Sequence, residues 1–370
     1  VQLRQAPYDV VLGHGVLAEL HELLPRRCPA ATYVVITDSV VGPLYAHELA
    51  ERIGALRPAH LLTFPAGERH KTRETWSRLT DEMLAAGVGR DAAILAVGGG
   101  VVGDVAGFVA ATYLRGIPYI QVPTTLLAMI DSSVGGKTGV DTPEGKNLVG
   151  AFHQPSLVVS DTATLATLPA AHLAAGIAEA VKHGAIADAG YLQTLAARHG
   201  QIAAREAETL RDVVARSIEI KAAIVADDER EAGRRAVLNF GHTVGHAVEA
   251  STGYALMHGE AVAMGMVLEA ELGTGLGVTE PGSAETLRAT LERYQLPTQP
   301  PREASSDAIL QAMRYDKKVR RQAIRCTLLR RPGEIARAED GGWTHQVTEA
   351  GIRAILDPLL AGTVRTSQQP

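Results

Sequence analysis

Short β-branched runs alternate with helical stretches through the first 165 residues, and that alternation restricts the fold more than any other feature. Tyr33–Thr37, His60–Phe64, Ala93–Val97, Tyr119–Val122 and Leu157–Ser160 read as strands, with Tyr45–Leu56 and Thr72–Ala86 among the helices between them. Strands separated by helices of this length form a parallel sheet covered on both faces. Ligands of such sheets bind beyond the carboxyl ends of the strands. Here those ends are small or polar: Thr37-Asp38, Gly98-Gly99-Gly100 and Pro123-Thr124-Thr125. Past about residue 170 the pattern turns helical, at Ala171–Ala187, Glu206–Ala226, Arg235–Ser251, Glu260–Leu272 and Ala284–Tyr294, with one β-branched run at Ala323–Leu329. The expected architecture is an α/β domain with a parallel, Rossmann-like sheet over residues 1–165 and a mostly α-helical domain over 166–370.

A length of 370 residues accommodates two cores. The net charge of -5 argues against nucleic acid as a partner, so an anionic ligand must be met by local lysines and arginines. Cys28 and Cys326 lie far apart without metal-ligand spacing, which fits a reducing cytoplasm rather than a disulfide framework. The most apolar stretch, Ala92–Leu114, is interrupted by five glycines and Asp104, so no membrane association is expected. The first residues, from Val1 on, show no basic-then-apolar pattern, so no signal peptide is expected.

Ala93–Val97 runs directly into Gly98-Gly99-Gly100-Val101-Val102-Gly103-Asp104, a GxGxxG turn ahead of the helix-like Val105–Leu114. Backbone N–H groups there can meet a dinucleotide pyrophosphate, although the same turn also serves simply to pack a helix on a strand. The usual acidic ribose contact about 20 residues later is missing, and Asp38 is the substitute at hand. Gly136-Lys137-Thr138 resembles the end of a P-loop, but Asp131 stands where that loop requires glycine. The glycine-rich segment from Ser132 to Asn147 reads instead as a flexible loop whose Lys137, Lys146 and Asn147 suit a small phosphate.

Arg235, Asn239, His242 and His246 fall at helical spacing on one stripe, a poor core face but a good wall for an anion and a metal. His258 follows after a turn at Gly253, and Glu179 shares a helical face with Lys182 upstream. One carboxylate and two imidazoles make a catalytic metal set with positions left for substrate. Spacing does not choose between His242 with His246 and His242 with His258.

Together, Gly98-Gly-Gly-Val-Val-Gly-Asp104, Pro123-Thr-Thr125, Asp131-Ser-Ser-Val-Gly-Gly-Lys137, Gly145-Lys-Asn147, Glu179-x-x-Lys182, Asn239-x-Gly-His242-x-x-x-His246 and His258-Gly-Glu260 resemble the 3-dehydroquinate synthase family in order and spacing. The resemblance spans roughly residues 8 to 330. It implies an NAD-binding domain, a helical metal- and substrate-binding domain, and a cytoplasmic homodimer of the shikimate pathway, which feeds aromatic amino acid biosynthesis. Zinc or cobalt would be held by Glu179, His242 and His258, leaving His246 toward the substrate. Asp38, Glu68, Lys71, Gly99, Gly100, Asp104, Thr124, Thr125, Asp131, Lys146, Thr164 and Thr167 correspond to NAD contacts. Lys137, Asn147 and Lys317 would hold the substrate phosphate, joined by the partner subunit's Arg115, while Lys221 and Arg235 would hold its carboxylate. Lys182, His246 and Asn239 would assist the chemistry, and Asp141 departs from an expected Asn beside the phosphate loop.

The implied substrate is 3-deoxy-D-arabino-heptulosonate 7-phosphate, and its two anionic ends match the two cation clusters. The implied sequence is transient oxidation, β-elimination of phosphate, reduction, ring opening and aldol closure, with NAD regenerated. Cyclases making inosose or valiolone rings act on substrates without a carboxylate and are expected to lack Arg235, whereas an aminodehydroquinate synthase would keep it. NAD- and metal-dependent polyol or alcohol dehydrogenases need no phosphate pocket, and a non-catalytic NAD-binding protein needs neither the metal set nor the anion pockets.

Overall fold

The computed structural model describes residues 1–3, 7–320 and 323–361, the side chains of residues 315–320 and 361 excepted. By contact the chain divides into two units, Val1–Leu173 with Arg205–Ala226, and Ala174–Ala204 with residues 227 onward. The helix Ala207–Asp227 thus packs largely with the first unit, although it follows helices of the second.

The first unit is built on eight strands: β1 (Asp9–Gly13), β2 (Thr32–Asp38), β3 (Ala59–Phe64), β4 (Ala92–Gly98), β5 (Tyr119–Pro123), β6 (Lys137–Thr142), β7 (Gly145–Phe152) and β8 (Leu157–Asp161). Six form one parallel sheet in the order β1-β8-β5-β4-β2-β3. Successive residues of β2 and β4 feed two separate cores: Val34, Ile36, Ile94 and Ala96 enter one, Tyr33, Val35, Ala93 and Leu95 the other. Both faces are therefore covered, and each fully buried Val or Ile contributes about 2 kcal/mol by leaving water. β2 leads outward to β3, while β4, its other neighbour, leads back toward β5. The connections diverge between β2 and β4, which opens a crevice at their carboxyl ends. Asp38 and Gly98 sit there.

Two differences from the sequence reading appear in this unit. β1 is a sixth sheet strand, paired with β8 at the edge. The segment taken as a flexible loop is mostly ordered as the antiparallel hairpin β6–β7. Its glycines allow close approach: a Cβ on Gly150 would lie 2.1 Å from the Thr138 carbonyl oxygen, and one on Gly139 would lie 2.7 Å from that of Val149.

The second unit is mostly helical, with helices at Ala189–Ala197, His242–Ser251, His258–Gly275, Ser283–Glu292, Ser306–Arg320 and Glu349–Ala361, besides most of Ala170–Ala187. Val244, Val248, Met264, Leu268, Ile309, Met313, Ile352 and Leu356 share its core. The expected single helix over Arg235–Ser251 is broken. Arg234–Asn239 is a 3-10 turn, and the α-helix starts afresh at His242 after Gly241, whose φ is 81°. A Cβ on Gly241 would come within 2.5 Å of Met266 Cγ and 3.0 Å of the Val262 carbonyl oxygen. Close packing against the next helix thus fixes the break. No described helix is long and apolar enough to cross a membrane.

Candidate active site

The carboxyl edge of the sheet gathers most of the candidate cofactor residues. Asp38 ends β2, Glu68 and Lys71 follow β3, and Gly99, Gly100 and Asp104 follow β4; Thr124, Thr125 and Asp131 follow β5, and Thr164 and Thr167 follow β8. Gly99 precedes the helix Gly100–Thr112 without any side-chain cap, which leaves the helix N-terminus open to an anion. The buried Thr124 hydroxyl has no hydrogen-bond partner, a cost that a ligand would remove. Tyr45, overlooked in the sequence, places its hydroxyl 2.6 Å from Thr167 Oγ1 and donates to the Thr164 carbonyl at 3.1 Å. An open helix end, an orphaned hydroxyl and a switch-point crevice fit a dinucleotide.

Lys71 centres a second cluster. Buried to 4% exposure, its Nζ donates to Asp104 Oδ2 at 2.6 Å and Asn147 Oδ1 at 2.5 Å, with Glu68 Oε1 at 3.8 Å. Burial acts to lower the Lys71 pKa, but the Asp104 and Glu68 carboxylates outweigh it and leave it raised. Asn147 holds a left-handed φ of 56°, and its N–H donates to Asp141 Oδ1 at 2.8 Å. The Asp141 N–H in turn donates to the Lys71 carbonyl at 2.7 Å. The unexpected aspartate side chain thus holds Asn147 within the hairpin, while its main chain ties the hairpin to Lys71. Lys146 adjoins Asn147 in β7, and Lys137 opens β6 with its side chain exposed.

Lys221 donates to the Asp131 carbonyl at 2.6 Å and carboxylate at 2.7 Å, joining a candidate substrate residue to a candidate cofactor residue. Arg115 stays apart, exposed on a left-handed turn (φ 47° at Leu114, 70° at Arg115) past the far end of the 13-residue helix Gly100–Thr112. A helix of that length puts about 20 Å between Arg115 and the glycine turn. Lys317 lies in the helix Ser306–Arg320, but its side chain is outside the described residues.

In the second unit, Glu179, His242 and His258 converge. Glu179 is fully buried, and its Oε1 lies 3.4 Å from His242 Nε2 and 3.3 Å from His258 Nε2. Lys182 pairs with the other carboxylate oxygen. Burial would raise Glu179, but the Lys182 ammonium and the two imidazoles overcome it and hold the carboxylate well below its usual range. Donors about 2.1 Å from a tetrahedral ion sit about 3.4 Å from one another, so these separations fit one. His242 Nδ1 lies 3.1 Å from the Phe240 carbonyl, which can only accept, so Nδ1 can donate there and leave Nε2 to face Glu179. Backbone crossings bring these three side chains together: a Cβ on Gly259 would lie 2.3 Å from the Ala175 carbonyl oxygen, and one on Gly265 would lie 1.9 Å from that of Gly241.

His246 is exposed, with its ring 5.2 Å from that of His242 and 5.7 Å from that of His258. It forms a second potential donor group with Glu249 and His258. The Arg235 guanidinium is buried and donates to the Glu229 carbonyl at 2.6 Å, while Asn239 Nδ2 donates to Glu231 Oε1 at 3.0 Å. Glu231 was not singled out in the sequence, where it sits in a mixed-charge run without periodicity. Glu269 was also missed. Fully buried, it accepts the Gly241 N–H at 2.7 Å and the Val244 N–H at 3.0 Å, and burial pushes its pKa up to about 8 against those bonds. A carboxylate closing the apolar run Ala261–Leu268 was its visible signal.

Residues 61–175 match the family model described as 3-dehydroquinate synthase N-terminal, and residues 176–319 match 3-dehydroquinate synthase C-terminal. A curated relative named 3-dehydroquinate synthase, from Symbiobacterium thermophilum, is 47% identical over 346 residues, covering 92% of this chain and 96% of that one. A structure of 2-deoxy-scyllo-inosose synthase complexed with carbaglucose-6-phosphate, NAD+ and Co2+ superposes with a TM-score of 0.88 at 29% identity, covering 97% of this chain and all of that one. A 2-epi-5-epi-valiolone synthase from Streptomyces hygroscopicus subsp. jinggangensis, with NAD+ and Zn2+ bound, gives a TM-score of 0.86 at 30% identity, covering 98% of this chain and 99% of that one.

Proposed function

The chain belongs to the 3-dehydroquinate synthase family, and from that premise we propose that it converts 3-deoxy-D-arabino-heptulosonate 7-phosphate into 3-dehydroquinate and phosphate. It is an enzyme of the phosphate-eliminating, ring-forming lyase type. The observation that carries the reading is the Glu179–His242–His258 set around a buried carboxylate, in a unit that also buries the Arg235 guanidinium. A carboxylate-bearing substrate gives that guanidinium an anionic partner beside the Glu229 carbonyl it already meets.

Glu179, His242 and His258 would hold zinc or cobalt, which supplies Lewis acidity toward the substrate hydroxyls. Asp38, Glu68, Lys71, Gly99, Gly100, Asp104, Thr124, Thr125, Asp131, Lys146, Thr164 and Thr167 would hold NAD, a reversible hydride acceptor. Residues 1–165 would then serve mainly the dinucleotide and residues 166–370 mainly the metal and substrate. Lys137, Asn147 and Lys317 take the phosphate; Lys221 and Arg235 take the carboxylate. Lys182 and His246 hold and move protons at the reacting hydroxyls, and Asn239 orients the substrate. Much of the acceleration then comes from positioning and fixed charge. The outward placement of Arg115, about 20 Å along its helix from the glycine turn, supports a homodimer in which the partner subunit's Arg115 completes the phosphate site. A cytoplasmic setting is part of the same proposal, and the two buried free thiols, Cys28 and Cys326, suit a reducing compartment.

The test is phosphate release from the heptulosonate phosphate with catalytic NAD and zinc, before and after chelation. Turnovers far exceeding the NAD present, lost with chelator and restored by metal, support the reading. Stoichiometric NADH formation from a simple polyol, without phosphate release, would sink it.

A further inference from the structure

We propose that Glu269 is a positioning residue for the metal centre, setting the pose in which His242 meets Glu179 and His258. The helix His242–Ser251 begins at Gly241, which has no side chain to cap it. Its first N–H groups need acceptors from elsewhere. Glu269, on the following helix His258–Gly275, supplies them: Oε2 accepts from Gly241 and Oε1 from Val244. The backbone is thereby anchored on both sides of His242.

The residue is costly where it stands. It is the one charged residue at the fully buried positions of its helix, and among the described residues no Lys, Arg or His pairs with it. A carboxylate in such surroundings persists only where its hydrogen bonds are needed. The same helix starts with His258, so one rigid element presents one ligand directly and sets a second through its cap. Gly265 and Gly245 keep the two helices in backbone contact between those points: a Cβ on Gly245 would lie 2.6 Å from the Ala261 carbonyl oxygen.

This inference rests on the reading that Glu179, His242 and His258 take the ion. Glu269→Gln keeps the shape but turns an NH2 toward one of the two backbone N–H groups. Zinc affinity, measured by competition with a chromophoric chelator, is expected to fall about 10–100-fold. The visible absorption of the cobalt-loaded protein should change in shape and intensity. Glu269→Asp keeps both acceptor oxygens on a shorter arm and should fall between, which gives a second readout if the glutamine variant folds poorly. A merely structural cap would lower the melting temperature of chelator-treated protein yet leave affinity and cobalt spectrum as in the wild type, and that result in either folded variant overturns the proposal. Wild-type protein that takes no stoichiometric zinc would instead overturn the reading of the triad, and this inference with it.

Discussion

Replacing Gly259 by alanine tests how the ligands are brought together. Gly259 adjoins His258, and its missing Cβ would lie 2.3 Å from the carbonyl oxygen of Ala175, one helical turn before Glu179. Ordinary contact begins near 3.4 Å, so the two helices must part by about 1 Å, an overpacking that costs about 1–3 kcal/mol. Backbone is the obstacle on one side, so no rotamer change relieves it. Carried to the ligands, the shift widens the 3.3 Å gap between Glu179 Oε1 and His258 Nε2 to about 4.3 Å, beyond the span of a tetrahedral ion. Zinc affinity by chelator competition should therefore drop by at least about 100-fold. Gly200→Ala is the control, since nothing lies within 4 Å of its added methyl, and it should bind zinc as the wild type does. A Gly259→Ala protein that folds and keeps wild-type zinc affinity would refute the claim that this crossing sets the ligand spacing.

Arg235→Ala should raise KM for the carboxylate-bearing substrate by about 100-fold or more while NAD binding, read by fluorescence, is unchanged; an unaltered KM removes the carboxylate assignment. His258→Ala should abolish stoichiometric zinc, whereas His246→Ala should retain it and lose about 100-fold or more in kcat; the opposite pattern would move the site to His246 and Glu249. Asp141→Asn keeps an acceptor for the Asn147 N–H and should leave KM within about threefold, while Asp141→Ala, which leaves that N–H without its side-chain acceptor, should raise it further. Glu179 has a depressed pKa, so its charge contributes stability above the ordinary carboxylate value near about 4.3 and loses that contribution as pH falls through the folded value. Melting of chelator-treated protein should accordingly drop in acid, and less steeply for Glu179→Gln.

The parallel sheet was legible because both of its faces are buried, so strands such as Val34–Ile36 and Ile94–Ala96 are continuous apolar runs. β1 escaped notice because it is a short edge strand, only partly buried. The hairpin β6–β7 was hidden by its glycines, which read as looseness although Gly139 and Gly150 are there for close backbone approach. Periodicity ran the histidine stripe straight through Gly241; only the packing against Met266 shows that the chain turns there. Spacing alone could not separate His246 from His258, because the choice depends on where Glu179 lies, 67 and 79 residues upstream of them in the chain. The family's motifs were visible, but Glu231, Tyr45 and Glu269 act through contacts that no local pattern announces.

The helix Ala207–Asp227 also bears on how the protein is made. Because Lys221 closes onto Asp131 and residues 205–226 pack with the first unit, that unit is incomplete when residue 173 leaves the ribosome and must wait for residue 226. At about 5–20 residues per second the delay is several seconds, during which the segment 174–204, belonging to the other unit, is already in the open. The nascent chain therefore cannot finish one half before starting the next, and slowed translation across this stretch would lengthen the time its apolar surfaces are exposed to chaperones or to other chains.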